Sequence, residues 1–103
     1  MAVAVVFEWD GATVEQYDQV NDEMGHLPGT TGPDGALFHW MTVTDTGIRI
    51  TDVWETREQF EQFAATKIMP AVAKFGIESQ PRIEFYDVHN YLIGSPTTVS
   101  SGA

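Results

Sequence analysis

The first third of the chain changes from a continuous apolar run to apolar residues at helical spacing. Residues 2–7 (Ala-Val-Ala-Val-Val-Phe) are all apolar and rich in β-branched side chains, which predicts a strand buried on both faces. After a break at Asp10-Gly11, Thr13 and Gln16 have the spacing of a reciprocal capping box at a helix start. Apolar residues then recur at helical intervals at Val14, Tyr17, Val20 and Met24. The pattern therefore predicts a helix from about Val14 to Gly25.

The middle of the chain has the pattern of a β-hairpin. Residues 28–35 are rich in Gly and Pro and form a predicted loop. Residues 36–43 and 48–55 are each predicted to be a strand, and only Thr44-Asp45-Thr46-Gly47 separates them. A link this short predicts that the two strands pair directly.

The last part of the chain predicts a second helix and a fourth strand. Thr56 and Gln59 repeat the capping-box spacing. The helix stripe that follows consists of Phe60, Phe63, Ala64, Ile68, Ala71, Val72 and Phe75. Pro70 should kink or split this helix because it donates no amide hydrogen bond, and Gly76 fits a C-cap. Residues 82–92 are the predicted fourth strand. We expect one domain over residues 1–93 and a loose tail over residues 94–103.

The resulting order is β-α-β-β-α-β, and an internal repeat supports it. Residues 13–20 (Thr-Val-Glu-Gln-Tyr-Asp-Gln-Val) align with residues 56–63 (Thr-Arg-Glu-Gln-Phe-Glu-Gln-Phe). Before each segment, Glu8-Trp9-Asp10 resembles Val53-Trp54-Glu55. Two related β-α-β halves are typical of the ferredoxin-like plan, which is an α+β fold with a four-stranded antiparallel sheet.

Two helices cover only one face of such a sheet, and the other face is predicted to be apolar. On strand 36–43, Leu37, His39, Met41 and Val43 share one side, whereas Ala36, Phe38 and Trp40 share the other. An uncovered face with Phe38 and Trp40 would be a large apolar patch, which marks an interaction surface. The economical partner is a second copy of the chain, packed sheet against sheet as a homodimer.

Composition excludes several classes of function. The chain has 103 residues, enough for one domain, and 15 Asp and Glu against 5 Lys and Arg give a net charge of −10. This charge repels nucleic acid and anionic lipid, so we expect neither a nucleic-acid nor a membrane partner. With 0 Cys there is no disulfide framework and no Cys ligand or nucleophile, which fits a reducing, cytoplasmic location. No apolar run has the ~18–20 residues of a membrane span.

The predicted hairpin places His39 opposite Asp52. With a link of two or four residues, Val43 faces Ile48, Met41 faces Ile50, His39 faces Asp52 and Leu37 faces Trp54. A three-residue bulged link would shift the register and separate the pair. A His–Asp pair in an apolar surrounding has two interpretations: a structural hydrogen bond, or a general base for an acidic phenol or enol with Asp52 orienting the ring.

Other polar residues are weaker candidates. His89 follows Asp87 on the predicted fourth strand, about 14 Å from His39 across the sheet, which predicts a rim or dimer-contact role. Tyr17 and Asn21 lie one turn apart on the first helix and can reach a pocket, or form the polar end of a core. His26, in a loop, is expected to be solvated. The His spacing does not fit a metal site, so we expect no metal.

The hairpin ending in Asp52-Val53-Trp54-Glu55, followed at once by the capped helix Thr56 to Phe63, resembles a junction in a known superfamily. Over roughly residues 2–92 the chain is similar to the dimeric α+β barrel proteins, which include antibiotic biosynthesis monooxygenase-like proteins, small polyketide cyclases and haem-degrading monooxygenases. The resemblance implies a pocket between the sheet and its own helices, and catalysis without metal or cofactor. Residues 60–75 contain no His, so the haem ligand of the haem-degrading members and the cyclase pattern are both missing.

These observations leave two functions open. The first is a small enzyme without cofactor that oxygenates, cyclises or isomerises an apolar or aromatic metabolite. In it His39 is the base, Asp52 orients it, and the binding residues are Trp54, Met41, Tyr17, Asn21 and Phe63. The second is a non-catalytic dimeric module that binds a small molecule or serves as a scaffold. The volume beside His39 separates them: Phe60, Phe63 and Phe75 are large enough to fill it, whereas about 300 Å³ or more of open space favours the enzyme.

Overall fold

Four strands form one antiparallel sheet in the computed structural model, which describes residues 1–26 and 32–95. The elements are β1 (Val3–Asp10), α1 (Val14–Met24), β2 (Ala36–Val43), β3 (Gly47–Trp54), α2 (Arg57–Phe63), a π-helical segment (Ala64–Ile68), α3 (Met69–Lys74) and β4 (Arg82–Asp87). The strand order is β2-β3-β1-β4, with β2 and β4 at the two edges. The predicted ferredoxin-like order is therefore confirmed. Residues 28–31 of the predicted loop 28–35 and residues 96–103 of the predicted tail 94–103 lie outside the described residues.

Both predicted capping boxes are present and begin the two helical units. In α1 the Gln16 amide donates to Thr13 Oγ1 at 3.1 Å, and the Thr13 amide donates to Gln16 Oε1 at 3.0 Å. Thr56 and Gln59 make the same two bonds, at 3.2 and 3.1 Å. These bonds satisfy amide groups that have no partner inside the helix. α1 ends at Gly25, whose φ of 81° is the left-handed conformation that glycine adopts without strain.

Pro70 interrupts the second helical unit, as predicted. The five residues Ala64–Ile68 before α3 are π-helical, and the Met69 amide donates to the Ala64 carbonyl, five residues back. Pro70 lies in the first turn of α3 and has no amide hydrogen for the preceding turn, so the helix widens there. The C-cap of α3 is Phe75, one residue before the predicted Gly76, and the Gly76 amide donates to the Ala73 carbonyl at 3.2 Å.

The first and the last strand of the chain differ from the predictions. β1 alternates: Val3, Val5, Phe7 and Trp9 are buried under the helices, whereas Ala4, Val6 and Glu8 are half-buried on the other face. β4 ends at Asp87 instead of residue 92. β4 pairs only with β1, and Asp87 lies opposite Val3, the first residue of that strand. Beyond it, one further bond from the Val88 amide to the Ala2 carbonyl, at 2.9 Å, ends the pairing.

The core lies between the sheet and the second helical unit. Trp54, which is 1% exposed, and Phe60, at 3%, contact each other edge to face. The opposite face of the sheet carries three large exposed side chains, those of Phe38, Trp40 and Tyr86. This is the face on which the sequence predicts a second copy of the chain.

No helix within residues 1–26 and 32–95 combines the length and the apolar character that crossing a membrane requires.

Candidate functional site

A cleft of about 920 Å³ opens between α1 and the half of the sheet formed by β2 and β3. It exists because α1 packs mainly against α3 and the π-helical segment, which leaves the edge strand β2 partly uncovered on the helix side. The volume is well above the roughly 300 Å³ at the lower end for ligand pockets. The sequence predicts seven catalytic and binding residues, apart from the secondary pair Asp87 and His89. Six of the seven line the cleft: His39, Asp52, Tyr17, Asn21, Met41 and Phe63.

The predicted pairing of His39 with Asp52 is present. The link between the strands closes where the Thr44 amide donates to the Gly47 carbonyl at 2.9 Å, so Val43 faces Ile48 and His39 faces Asp52. The His39 Nδ1 and Asp52 Oδ1 atoms lie 2.6 Å apart. The prediction fails only further along, where a bulge places Ala36 opposite Trp54 in the position expected for Leu37.

Asp52 is held by a second hydrogen bond, which the hairpin pattern does not predict. The Trp54 indole Nε1 donates to Asp52 Oδ2 at 3.1 Å, so both oxygens of this buried carboxylate accept a bond. Trp54 is enclosed in the core and does not line the cleft, which makes the prediction of a pocket wall wrong for this residue. Its position two residues after Asp52 on the same strand face explains the contact. Trp54 therefore orients the group that orients His39.

Tyr17 meets the other side of the imidazole. Its hydroxyl oxygen lies 2.5 Å from His39 Nε2, and the two rings are nearly parallel, at 10°. The pKa of Tyr17 is raised, chiefly because the side chain is partly buried, and the negative charges of Asp52 and Asp18 raise it further. A hydrogen bond with the Asn21 side chain partly offsets these effects. Tyr17 therefore stays protonated at neutral pH and can donate to Nε2. Nδ1–H then donates to Asp52, which fixes the tautomer of the ring.

Two of the three Phe side chains that were candidates for filling the cleft, those of Phe60 and Phe75, lie outside it. Phe60 is turned into the core, where its ring lies 5.5 Å from Phe7, 5.8 Å from Trp54 and 5.7 Å from Phe85 between centroids. Phe75 is half-buried elsewhere, and of the three candidates for filling the space only Phe63 lines the cleft. The packing that would have removed the site is therefore absent from the described residues.

Of the other two histidines, His89 lies at the rim, away from His39, as predicted, whereas the expectation for His26 is wrong. Asp87 and His89 are exposed at the β4 edge of the sheet, and His39 lies on β2 at the opposite edge. His89 lies beyond the end of β4. His26, expected to be solvated, is half-buried and lines the cleft, with its ring centroid 5.9 Å from that of Phe63. The His26 amide donates to the Asn21 carbonyl at 3.0 Å, which holds this residue against the end of α1. The Gly and Pro residues near His26 predict only a loop, so the sequence does not indicate this contact.

No group of three or more His, Asp or Glu side chains placed to hold a metal ion is present within residues 1–26 and 32–95.

No family model and no curated protein matches the chain. Solved structures do. A candidate antibiotic biosynthesis monooxygenase from Chloroflexus aurantiacus J-10-fl superposes with a TM-score of 0.60 at 18% identity, covering 91% of this chain and 100% of its own. A candidate antibiotic biosynthesis monooxygenase from Deinococcus radiodurans gives 0.58 at 16% identity, with 93% and 100% covered. A variant of SnoaB, a cofactor-independent oxygenase from Streptomyces nogalater, gives 0.54 at 15% identity, with 88% and 94% covered.

At these identities the likeness is one of fold. It confirms the α+β, ferredoxin-like architecture that the sequence predicts and the resemblance of this fold to that of antibiotic biosynthesis monooxygenase-like structures.

Proposed function

We propose that this protein is an enzyme that removes a proton from an apolar, aromatic substrate and uses no cofactor in that step. The observation that carries the proposal is the hydrogen-bonded chain from Tyr17 through His39 to Asp52, which faces an open cleft of about 920 Å³. An imidazole with a carboxylate behind Nδ1, and with an Nε2 lone pair that a substrate can reach by displacing the Tyr17 hydroxyl, has the arrangement of a general base. A structural His–Asp pair does not require open space beside it.

The reaction begins when an acidic hydroxyl or C–H group of the substrate takes the place of the Tyr17 hydroxyl at His39 Nε2. The proton moves to Nε2, and the imidazolium formed is stabilised by Asp52, 2.6 Å from Nδ1. Tyr17, still protonated, then donates to the oxygen on which the negative charge develops. The geometry thus provides a base, a group that orients it and a donor for the anion within one short chain of residues.

Oxygenation is the continuation that the fold neighbours favour, because one of them is a cofactor-independent oxygenase. In this reaction the substrate anion transfers electrons to molecular oxygen. A CH₂ group becomes a carbonyl, one oxygen atom enters the product, and the other leaves as water with the two hydrogens. Cyclisation or isomerisation begins with the same proton abstraction and differs only in consuming no oxygen.

The test is proton exchange measured on an enolisable aromatic probe. We expect the protein in D₂O to accelerate exchange of the acidic C–H protons of 2-tetralone, followed by NMR, and His39→Ala to lower the rate by about 10²–10⁴-fold. His89→Ala is the matched control, because His89 is exposed at the opposite edge of the sheet. Oxygen uptake with the same probe then distinguishes oxygenation from isomerisation.

Equal exchange rates for the wild type and a folded His39→Ala variant would contradict the proposal. Binding of 2-tetralone without any acceleration of exchange would instead support the non-catalytic binding module.

We also propose that the open face of the sheet pairs with a second copy of the chain. Phe38, Trp40 and Tyr86 are 45–51% exposed there, next to the half-buried Val6 and Val53. Apolar residues of this size on one face of a small acidic protein are typical of an interface. We expect sedimentation equilibrium to give a dimer, and Trp40→Asp to give a monomer that remains folded. A monomeric wild type would refute this pairing.

A further inference from the structure

We infer that the cleft selects an uncharged substrate and discriminates against one that carries a carboxylate. This inference rests on the proposed function, because it concerns the ligand of the same site. It is carried by the charged groups around the cleft and by where the few cations of the chain lie.

The cations of the chain are all placed away from the cleft. The 5 Lys and Arg residues fall within the described residues, and none is among those that line it. Four are engaged with carboxylates elsewhere: Arg49 with Glu8, Arg57 with Glu61, Lys74 with Glu23, and Arg82 with Asp10. The fifth, Lys67, lies exposed on the π-helical segment. A carboxylate in the cleft would therefore find no Lys or Arg of its own chain to pair with.

The charges that do line the cleft are negative. Asp18 and Asp22 are exposed, one turn apart on the same side of α1, and Asp52 lies at the base of the cleft. Within the residues that the structure describes, no Lys, Arg or His lies within 4.0 Å of the carboxylate of Asp18 or Asp22. The field of Asp18 already acts inside the cleft, since it contributes to the raised pKa of Tyr17.

An uncharged substrate avoids both penalties that an anion would meet. An anion loses water against apolar walls such as Met41, Ile50 and Phe63 and is repelled by the two aspartates. A phenol or enol enters neutral and becomes negative only when its proton moves to His39 Nε2. The imidazolium and the substrate anion then form a pair with no added net charge, so the acidic surroundings do not oppose the reaction. Charge selection at entry and ionisation inside the cleft are thus compatible.

The test compares the binding of three probes with one ring system to the full chain at neutral pH, by calorimetry. These are 2-naphthol, which is uncharged, 6-hydroxy-2-naphthoate, which carries a carboxylate, and 6-aminomethyl-2-naphthol, which carries a cation. We expect the carboxylate to bind about tenfold or more weakly than 2-naphthol, and the cation to bind at least as tightly. In the double variant Asp18→Asn/Asp22→Asn the difference should fall to about threefold or less.

A matched control separates the local field from the overall charge. Asp45→Asn/Glu58→Gln removes the same two negative charges from exposed residues that do not line the cleft, and it should keep the tenfold discrimination. If the difference in affinity between 2-naphthol and the carboxylate probe falls equally in both double variants, the discrimination does not come from Asp18 and Asp22.

The outcomes keep the inference and the proposed function distinct. If the carboxylate binds as tightly as 2-naphthol, the inference is wrong and general-base catalysis stands. If discrimination is found but His39→Ala leaves proton exchange unchanged, the catalytic function is wrong and the charge selection stands. If none of the three probes binds, both are overturned.

Discussion

The two β-α-β halves of the molecule begin with the same helix start but use it for different purposes. Tyr17 and Phe60 occupy the same position of the internal repeat, four residues after the capping threonine. Phe60 is 3% exposed and contacts three aromatic rings of the core. Tyr17 is half-buried, lines the cleft and bonds to His39. One added hydroxyl group separates a core residue from a site residue.

The strand partners beneath the two helices differ in the same sense. When Trp9 and Trp54 are aligned, as the repeat suggests, Phe7 in β1 corresponds to Asp52 in β3. Phe7 faces Ile83 across the sheet, whereas Asp52 faces His39. The apolar set of one half is thus replaced by the polar set Tyr17, Asp52 and His39 in the other. The repeat therefore supplies the scaffold twice, and the candidate site lies where the two copies diverge.

Truncating the paired residues should separate the two halves most strongly. Phe60→Ala should lower the free energy of unfolding by about 3–5 kcal/mol, because it leaves a cavity among three rings. Tyr17→Ala removes a half-buried ring beside open space and should cost about 1 kcal/mol. Urea unfolding monitored by circular dichroism measures both. Equal losses would mean that Tyr17 is a core residue like its counterpart.

Replacing both His39 and Asp52 by Leu should lower the free energy of unfolding by less than the two single replacements add up to. His39→Leu leaves the buried Asp52 with the Trp54 bond alone, and we expect a loss of about 1–3 kcal/mol, less than for a fully buried pair because the His39 side chain is 43% exposed. Asp52→Leu should cost a similar amount. The double variant should be more stable than the sum of the single losses predicts, by about 1–2 kcal/mol in a double-mutant cycle. A coupling near zero would show that the two side chains do not depend on each other.

The fold and the His39–Asp52 pair were within reach of the sequence because local rules determine them. Capping boxes are set by residues three apart, and the pairing of His39 follows from the short link after Val43. The bulge near Leu37 was not predictable in this way, since it changes the register without any signal in the alternation of side chains. The end of β4 depends on where its partner β1 begins, some 80 residues earlier in the chain.

The contact between Tyr17 and His39 shows what sequence patterns leave out of the site. Helical spacing places Tyr17 on the inner side of α1, but which strand it reaches depends on how far the helix is displaced over the sheet. That displacement is set by packing of α1 against α3 and the π-helical segment, which no local motif encodes. The cleft, its lining and the enclosure of Trp54 follow from the same displacement.

The hydroxyl of Tyr17, absent from Phe60, should be visible in a pH titration. Its pKa is raised, chiefly by burial, so the folded protein holds this proton to a higher pH than the unfolded chain, whose tyrosines ionise near about 10. Stability therefore falls as pH rises above that value, because the unfolded state releases the proton first. Tyr17→Phe should remove this part of the alkaline decline and one late component of the tyrosinate absorbance, while Tyr86, whose pKa Glu84 raises, keeps another. Loss of absorbance at pH ~10 in place of a higher pH would show that Tyr17 ionises like a solvated phenol.

Asp10, the last residue of β1, and Glu55, the residue directly after β3, occupy matching positions of the repeat. Glu55 accepts a hydrogen bond from Gln59 Nε2 at 3.0 Å, within its own half of the repeat. Asp10 accepts hydrogen bonds from Arg82 on β4 at 2.9 Å and from Thr46 in the link between β2 and β3 at 2.8 Å. The hydrogen bond from Arg82, followed by that from Thr46, lowers the pKa of Asp10.

A carboxyl group with a lowered pKa stabilises the fold above its unfolded pKa of about 3.9, and that contribution disappears as the pH falls through the lower folded value. Asp10→Asn should therefore lower the melting temperature slightly at neutral pH and converge with the wild type in acid. Arg82→Met should give the same convergence, and the double variant should add little to either, because all three remove one interaction. A constant offset at every pH would mean that the loss arises from changed packing at the end of β1 and not from the charge that joins it to β4.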